Sequence, residues 1–363
     1  MKIVQIIGNM GSGGAEKLLL DTLPLYRKKG IEMDLLVLND NEYPFMKALK
    51  ETGCCTIHSL GSGSIYNPIH VLRLIPFLRK YDIVQVHLFP SQYWVVLAKI
   101  ISFSKAKLIL SEHNTTSPRM KSYFISKIDK LMYRFYDTVV CVKEEVCQII
   151  QKYTGQVKST FVVIENGIDL ENIYAAKSYS KNNISDSFRS QDILLIQVAR
   201  FSIQKDQETA IKALQYLQEN VKLVLVGAGD LKKNCEDLVQ KLELSARVLF
   251  LGLRMDVPQL LKTADISILS TNHEGFPLVA LEAMAAGKPL IASDVPGVSD
   301  VVKDAGILFE KGNAKELAMH VDKLINNPEY YQEIVSSCKE RVKKNDIQSM
   351  VDKHILLYKS LVQ

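Results

Sequence analysis

Short runs rich in Val, Ile and Leu alternate along the chain with stretches in which apolar residues recur every three to four positions. The first pattern is typical of buried strands, and the second is typical of amphipathic helices. Strands are predicted over Lys2–Ile7, Met33–Leu38, Thr56–His58, Ile83–His87, Lys107–Ser111, Thr138–Val142, Phe161–Ile164, Ile193–Val198, Lys222–Val226, Val248–Leu251, Ile266–Leu269, Pro289–Ala292 and Ile307–Phe309. Helices are predicted over Ala15–Lys28, His70–Lys80, Glu144–Tyr153, Asp206–Leu217, Leu231–Lys241, Leu278–Ala286, Lys315–Ile325, Glu329–Lys344 and Ile347–Val362. This alternation predicts an α/β fold with parallel sheets covered by helices on both faces.

The strand–helix order starts again after a polar stretch, residues 179–191, which has few apolar side chains. We predict that this stretch is a linker between two doubly wound, Rossmann-like domains, residues 1–178 and 192–345. Residues 346–363 are predicted to form a last helix that returns to the first domain. Ligands of doubly wound sheets bind at the carboxyl ends of the strands. We therefore expect the two domains to face each other across a cleft that holds the active site.

The composition is that of an ordinary globular protein, with 363 residues, 47% of them hydrophobic and 23% charged. The longest apolar candidate, Tyr93–Phe103, contains Lys99 and is shorter than the ~18 residues that a membrane span needs. The N-terminal residues fit a strand followed by a glycine loop better than a signal peptide. These features predict a cytoplasmic protein.

The net charge of +5 is uneven, because residues 1–178 have a net charge of +6 and the remaining residues −1. This excess predicts an anionic ligand or surface near the first half, although a chance asymmetry of a solvated surface explains it equally well. The six cysteines form no CxxC pair, so we expect reduced thiols. The histidines form no HExxH or HxH pattern, and no zinc site is expected.

A glycine-rich loop, Gly8–Glu16, follows the first strand and opens the first helix. Its glycines at positions 8, 11, 13 and 14 match neither GxGxxG nor the P-loop pattern. Glycines allow close approach of a ligand, and a helix N-terminus presents unpaired N–H groups to an anion. The loop therefore predicts an anion contact, and the alternative is a tight turn without a ligand.

Two cations follow the first strand of the second half, in the stretch Val198–Asp206. Arg200 and Lys205 lie at the carboxyl end of this strand, and Asp206 is a plausible N-cap of the next helix. Cations beside a helix N-terminus suit a diphosphate.

The stretch Ser270–Asp294 has the pattern of a loop, a helix and a strand. Glu274 lies in the loop, and Glu282 lies about one turn into the helix, four residues after Leu278. A carboxylate in this place can accept hydrogen bonds from both hydroxyls of a ribose, and backbone amides at the helix start can bind phosphate or a sugar hydroxyl.

Several motifs in this order resemble those of glycosyltransferase family 4. They are the GGAE loop, Asn166–Asp169, Arg200 with Lys205, Gly227–Asp230, Phe250–Gly252 and the string HEGFPLVALEAMAAGKPLIASDVPG. The resemblance covers nearly the whole chain. It implies a retaining enzyme of the GT-B fold, in which the first domain binds the acceptor and the second binds a nucleotide sugar.

The resemblance also implies roles for individual residues. Glu282 would hold the donor ribose, Glu274 would contact hydroxyls of the donor sugar, and Arg200 and Lys205 would bind the diphosphate. Backbone groups of Gly275, Phe276, Pro277, Leu278 and Val279 would bind phosphate and sugar.

The remaining implied contacts come from other loops. Gly13 and Gly14 would contact the donor from the first domain, and Arg254 would lie near the base. His113 would lie near the anomeric centre. The alternative for His113, between Glu112 and Asn114, is a histidine that only organises its loop.

No DxD motif occurs in the chain, so we expect metal-independent transfer without a cofactor, in which the two cations stabilise the leaving diphosphate. The resemblance favours a UDP-sugar donor and a glycan or polyprenyl-linked acceptor in the synthesis of capsule, exopolysaccharide or another cell-surface polysaccharide. The alternatives are a nucleotide-sugar epimerase of the same fold and a non-catalytic nucleotide-sugar-binding protein.

The stretch Arg119–Tyr136 contains five Lys or Arg residues and five aromatic residues. Such a helix can lie on the inner face of an anionic plasma membrane, or it can pack an apolar stripe into the core. No nucleic-acid-binding motif is present, and no nucleic-acid partner is expected.

Overall fold

The structure is a computed structural model that describes residues 1–113, 120, 122–156 and 160–362. The chain divides into two compact units. The first consists of Met1–Gly167 together with Ile347–Gln363, and the second consists of Ile168–Asp346.

The first unit is built on a parallel sheet of seven strands in the order β3-β2-β1-β4-β5-β6-β7. The strands are β1 Ile3–Ile7, β2 Met33–Val37, β3 Ile57–Ser59, β4 Ile83–His87, β5 Lys107–Glu112, β6 Thr138–Cys141 and β7 Phe161–Val163. The helices are α1 Gly14–Lys28, α2 Pro44–Thr52, α3 His70–Lys80, α4 Ser91–Ser102, α5 Tyr123–Tyr133 and α6 Glu144–Thr154. Every residue of β1 and β4 is buried, as expected for central strands covered on both faces.

The second unit has a parallel sheet of six strands in the order β10-β9-β8-β11-β12-β13. The strands are β8 Ile193–Val198, β9 Val221–Val226, β10 Val248–Gly252, β11 Ile266–Leu269, β12 Leu290–Ser293 and β13 Ile307–Phe309. The helices are α7 Leu170–Ala175, α8 Lys181–Ile184, α9 Gln207–Ala213, α10 Lys232–Lys241, α11 Val257–Thr263, α12 Leu278–Ala285, α13 Ser299–Val302, α14 Ala314–Asn326 and α15 Pro328–Val342.

Two hydrophobic clusters cover the two faces of the second sheet. Leu194 and Ile196 of β8 belong to one cluster, whereas Leu195 between them belongs to the other. Alternate side chains of a strand point to opposite faces, so helices must pack on both sides of this sheet. The predicted α/β class with two Rossmann-like sheets is confirmed.

The boundary between the units differs from the predicted one. Residues 168–191 belong to the second unit and do not form a linker. The backbone N–H of Tyr179 donates to Thr263 Oγ1 at 2.8 Å, and Lys181 pairs with Asp265 at 2.6 Å. Phe188 is buried in the core. A few anchoring side chains in a polar stretch are enough to fix it to a sheet, and the composition of the stretch does not reveal them.

The last helix, α16 Ile347–Val362, belongs to the first unit. It packs against α1 and buries Met350, Val351 and Tyr358. Among the described residues, no helix is both long and apolar enough to cross a membrane.

Candidate active site

The topology of the second sheet defines where a ligand can bind. From β8 the chain proceeds outward to β9 and β10, whereas β11, on the other side of β8, leads outward to β12 and β13. From β8 and from β11 the chain therefore continues toward opposite edges of the sheet. The crevice at this switch point is the usual ligand site of a doubly wound sheet. Lys205 follows β8, and Glu274 follows β11.

Backbone contacts join these two loops. Lys205 and Thr271 form an isolated antiparallel bridge, and Asn272 N donates to Gln204 O at 2.8 Å. Asp206 caps α9, because its Oδ1 accepts a hydrogen bond from Thr209 N at 3.2 Å. The cap ends the loop one residue after Lys205, so the ammonium group is held beside the β11 loop.

Lys205 and Glu274 form an ion pair at this junction between Nζ and Oε1. The two side chains are only 16% and 7% exposed. Gln204 Nε2 donates to His273 O at 2.9 Å and to Glu274 Oε2 at 3.4 Å, so both carboxylate oxygens have partners. A charge pair shielded from water in this way acts strongly on any charge that develops near it.

The backbone of Glu274 rests on a glycine that the sequence analysis did not single out. Gly297 follows β12 with φ +86°, and a Cβ there would lie 2.1 Å from Glu274 O. Glu274 N donates to Pro296 O at 3.3 Å on the same side. The final DVPG residues of the long motif thus support the loop that presents Glu274.

Arg200 is exposed, and its guanidinium makes no hydrogen bond or ion pair with any residue that the structure describes. Its backbone is fixed, because Gln207 Nε2 donates to Arg200 O at 3.1 Å and Phe201 N donates to Ala228 O at 3.0 Å. Gly229 has φ +153°, and a Cβ added there would lie 2.2 Å from Phe201 O. The backbone of the GAGD motif therefore packs directly against the loop that contains Arg200. The guanidinium is therefore an unpaired charge on a rigid backbone.

The start of α12 supplies backbone donors next to Glu274. Pro277 is the N-cap residue, and its side chain makes no capping hydrogen bond. Backbone groups of residues 275–279 were predicted to bind phosphate and sugar. Pro277 has no N–H and cannot donate a hydrogen bond, whereas Gly275, Phe276, Leu278 and Val279 each have an N–H group. Glu282 is half-buried in the second turn of this helix.

Arg254 is not brought to the ion pair. It lies after β10, at the edge of the sheet, and its guanidinium binds Asp256 through Nε–Oδ1 at 2.8 Å and Nη2–Oδ2 at 2.6 Å. Tyr179 donates to the same carboxylate at 2.8 Å. The Arg254 guanidinium and burial act in opposite directions on the pKa of Asp256, and the guanidinium prevails and lowers that pKa to about 2.

The predicted residues of the first unit lie at the carboxyl edge of its own sheet. Gly13 is the N-cap of α1, and Gly14 is its first residue. His113 directly follows β5, and its Nε2 lies 3.2 Å from Nδ1 of His87. Burial lowers the pKa of His113 to about 4, and the charge of His354 acts in the same direction.

Comparison with known proteins explains this arrangement. The family model described as glycosyl transferases group 1 matches residues 180–341, and that described as glycosyltransferase family 4 matches residues 12–172. An uncharacterized glycosyltransferase of Methanocaldococcus jannaschii is 30% identical over 72% of this chain and 71% of its own. The chain belongs to glycosyltransferase family 4. The resemblance inferred from the motifs is confirmed, and the chain is a transferase.

Two other similar proteins match over greater lengths. A Campylobacter jejuni enzyme named N-acetylgalactosamine-N,N'-diacetylbacillosaminyl-diphospho-undecaprenol 4-alpha-N-acetylgalactosaminyltransferase is 27% identical over 95% of this chain and 96% of its own. Among solved structures, Anabaena HepE in complex with UDP and glucose is 23% identical and has a TM-score of 0.86, covering 99% of this chain and 100% of HepE. This structural likeness shows the shared GT-B fold.

Proposed function

We propose that this glycosyltransferase moves a sugar from a UDP-sugar to a glycan or polyprenyl-linked acceptor with retention of anomeric configuration. The observation that carries the proposal is the shielded Lys205–Glu274 pair at the switch point, next to the uncapped start of α12. The UDP bound by HepE and the diphospho-undecaprenol in the name of the Campylobacter relative support the choice of donor and acceptor. Capsule or exopolysaccharide synthesis is the cellular process that this chemistry fits.

The residues around the pair can stabilise the transition state of such a transfer. When the anomeric C–O bond breaks, positive charge develops on the sugar ring and negative charge on the leaving diphosphate. Lys205, Arg200 and the N–H groups at the start of α12 would hold the diphosphate, and Glu274 would bind hydroxyls of the sugar. Glu282 would hold the donor ribose.

The acceptor hydroxyl would attack from the face that the diphosphate leaves. It forms the new C–O bond while its proton passes to an oxygen of the departing phosphate, so both bonds and the proton balance. The lysine and arginine charges take the place that a divalent metal has in other sugar transferases, and we propose transfer without a metal. The predicted contacts of Gly13, Gly14 and Arg254 with the donor stay predictions.

Thermal-shift measurements with UDP-, GDP- and ADP-sugars test the donor class. A ligand at 100 times its dissociation constant adds about 2.7 kcal/mol to the free energy of unfolding. We expect UDP-sugars to raise the melting temperature by several degrees and the other two classes to have a smaller effect. A larger shift with GDP- or ADP-sugars would exclude the proposed donor. Release of UDP only when an acceptor is present would separate transfer from epimerisation and from binding alone.

We also propose that α5 contacts an anionic membrane. Tyr123 and Phe124 on this helix are 67% and 76% exposed, and Ile125, Ile128 and Leu131 are exposed as well. The helix buries Met132, Tyr133 and Asp129, and the Asp129 carboxylate accepts a hydrogen bond from Tyr93 at 2.6 Å. Most of the apolar side chains therefore do not pack into the core. The alternative from the sequence analysis required them to do so. Lys127, Lys130 and Arg134 are exposed on the same part of the chain. Arg119 and Lys121, the other two predicted basic residues, lie outside the described residues.

Vesicle flotation tests this contact. We expect the protein to float with phosphatidylglycerol vesicles at low salt and to stay unbound with phosphatidylcholine vesicles. The double variant Phe124→Glu/Ile128→Glu is expected to lower the bound fraction about tenfold, since it removes two apolar side chains and adds two negative charges. Met319→Glu is the matched control, because Met319 is 57% exposed on a helix of the other unit. Equal losses in both variants, or no binding of the wild type, would refute the contact. We propose that the protein contacts the cytoplasmic face of the membrane, where nucleotide sugars are available.

A further inference from the structure

Three polar side chains form a chain of hydrogen bonds across the centre of the first sheet. Gln5 lies on β1, His87 ends β4 and His113 follows β5, and these strands are neighbours in the order β1-β4-β5. His87 Nε2 lies 2.7 Å from Gln5 Oε1, and His87 Nδ1 lies 3.2 Å from His113 Nε2. Gln5 and His87 are only 1% and 4% exposed. Parallel pairing of the strands brings the three groups into line.

The orientation of the Gln5 amide decides the direction of these bonds. Its Nε2 donates to Gln85 Oε1 at 3.3 Å, to Tyr358 Oη at 3.2 Å and to Met33 Sδ at 3.1 Å. Gln85 is held in turn, because its Nε2 donates to Ser111 Oγ at 2.6 Å and its Oε1 accepts from the Tyr358 hydroxyl. The carbonyl oxygen of Gln5 therefore faces His87.

The tautomers of both histidines follow from this orientation. A carbonyl oxygen only accepts hydrogen bonds, so His87 carries its hydrogen on Nε2. Burial lowers the pKa of His87 well below its usual value, and the ring is neutral with a lone pair on Nδ1. That lone pair can only accept, so His113 must donate from Nε2 and retain a lone pair on its own Nδ1.

We propose that Gln5 and His87 are positioning residues that lock His113 in the Nε2–H tautomer, so that its Nδ1 can accept a hydrogen bond from a hydroxyl of the bound sugar. The role of Nδ1 toward a sugar rests on the proposed function, whereas the tautomer is a property of the free protein. A free neutral imidazole would exchange between two tautomers, and only one of them offers this acceptor. The chain from Gln5 removes that exchange.

Long-range proton–nitrogen correlation spectra of the full-length protein, labelled with ¹⁵N-histidine, measure the tautomer directly. The His113 signals are assigned by their loss in His113→Asn. We expect the Nε2–H pattern for His113 in the wild type at pH 7. In His87→Leu, which removes the acceptor, we expect averaged shifts of two tautomers. His87→Asn, whose amide oxygen can replace Nδ1, is expected to restore the pattern. The control is Tyr26→Phe, because Tyr26 contacts the network only through Tyr358, at 3.5 Å.

Transfer kinetics provide the second readout. We expect His87→Leu to lower kcat about tenfold with little change in KM, a loss that corresponds to one hydrogen bond, and His87→Asn to recover most of it. The Nδ1–H tautomer in the wild type, or an unchanged tautomer in a folded His87→Leu protein, would overturn the locking. If the tautomer is locked but kcat is the same in His87→Leu and the wild type, the role of Nδ1 toward the sugar is wrong while the locking stands. Because the spectra need no donor or acceptor, an error in the proposed function leaves the first result intact.

Discussion

Replacing Lys205 with alanine is expected to lower kcat/KM for sugar transfer by about 10³-fold. The Lys205 side chain is only 16% exposed and its ammonium group lies against Glu274, so its charge is poorly screened by water. Removing it would leave the negative charge of the departing diphosphate opposite an unpaired carboxylate. Initial rates of UDP release with a saturating acceptor measure this effect. Wild-type activity is expected to be unchanged by EDTA, since we propose that cations of the protein replace a metal.

The same substitution is expected to destabilise the second unit by about 3 kcal/mol, because Glu274 loses its partner in a buried site. The double variant Lys205→Ala/Glu274→Gln removes both charges, and we expect it to recover most of the stability and none of the activity. This split separates catalysis from folding. Lys212→Ala is the matched control, since Lys212 pairs with Glu208 on the exposed face of α9 at 2.9 Å. Full turnover by Lys205→Ala, or complete inactivation of the wild type by EDTA, would contradict the assignment.

The sequence predicts the strands of the two sheets well because each is a short run of mainly apolar residues between more polar stretches. The strands Ile83–His87, Ile193–Val198, Ile266–Leu269 and Ile307–Phe309 have the same bounds in the structure as in the prediction. The proximity of Lys205 and Glu274 could be predicted from the sequence, because each follows a parallel strand and the carboxyl ends of parallel strands lie at one edge of the sheet.

The features that the sequence did not reveal depend on contacts between distant residues. Tyr179 has no apolar neighbours in sequence, and its stretch of the chain therefore resembles a linker. In the structure its hydroxyl donates to Asp256, which lies 77 residues later in the sequence. The place of Arg254 near the base stays a prediction, whereas its pairing with the carboxylate of Asp256, two positions later, was not predicted. Gln5 and His87 lie inside regular strands, where a polar side chain gives no sign of its partner.

Lowering the pH from 7 to 5 is expected to destabilise the first unit by at least about 4 kcal/mol. Burial lowers the pKa of His113 and of His354 to about 4, whereas both groups titrate near their ordinary value of about 6.5 in the unfolded chain. Burial also lowers the pKa of His87 well below its usual value, so His87 acts in the same direction. The unfolded state therefore binds more protons than the folded state between these values. The stability is fully present above pH 6.5 and is lost as the pH falls toward 4. Each histidine contributes about 2 kcal/mol over the range 6.5 to 5, where exposed carboxylates stay ionised.

Denaturation by guanidinium chloride can be followed selectively in this unit, because the single tryptophan, Trp94, lies in it and donates to Ile65 O at 2.9 Å. For each protein we compare the difference in free energy of unfolding between pH 7 and pH 5. A loss of packing in a variant that does not depend on pH affects both values equally and drops out of this difference. We expect His354→Leu to reduce this difference by about 2 kcal/mol, since it removes one of the buried neutral histidines. His273→Asn is the control, because His273 is exposed and lies in the second unit. A wild-type difference below about 1 kcal/mol would mean that the buried histidines protonate in the folded protein as readily as in the unfolded chain, and the neutral hydrogen-bond network of this unit would then be wrong.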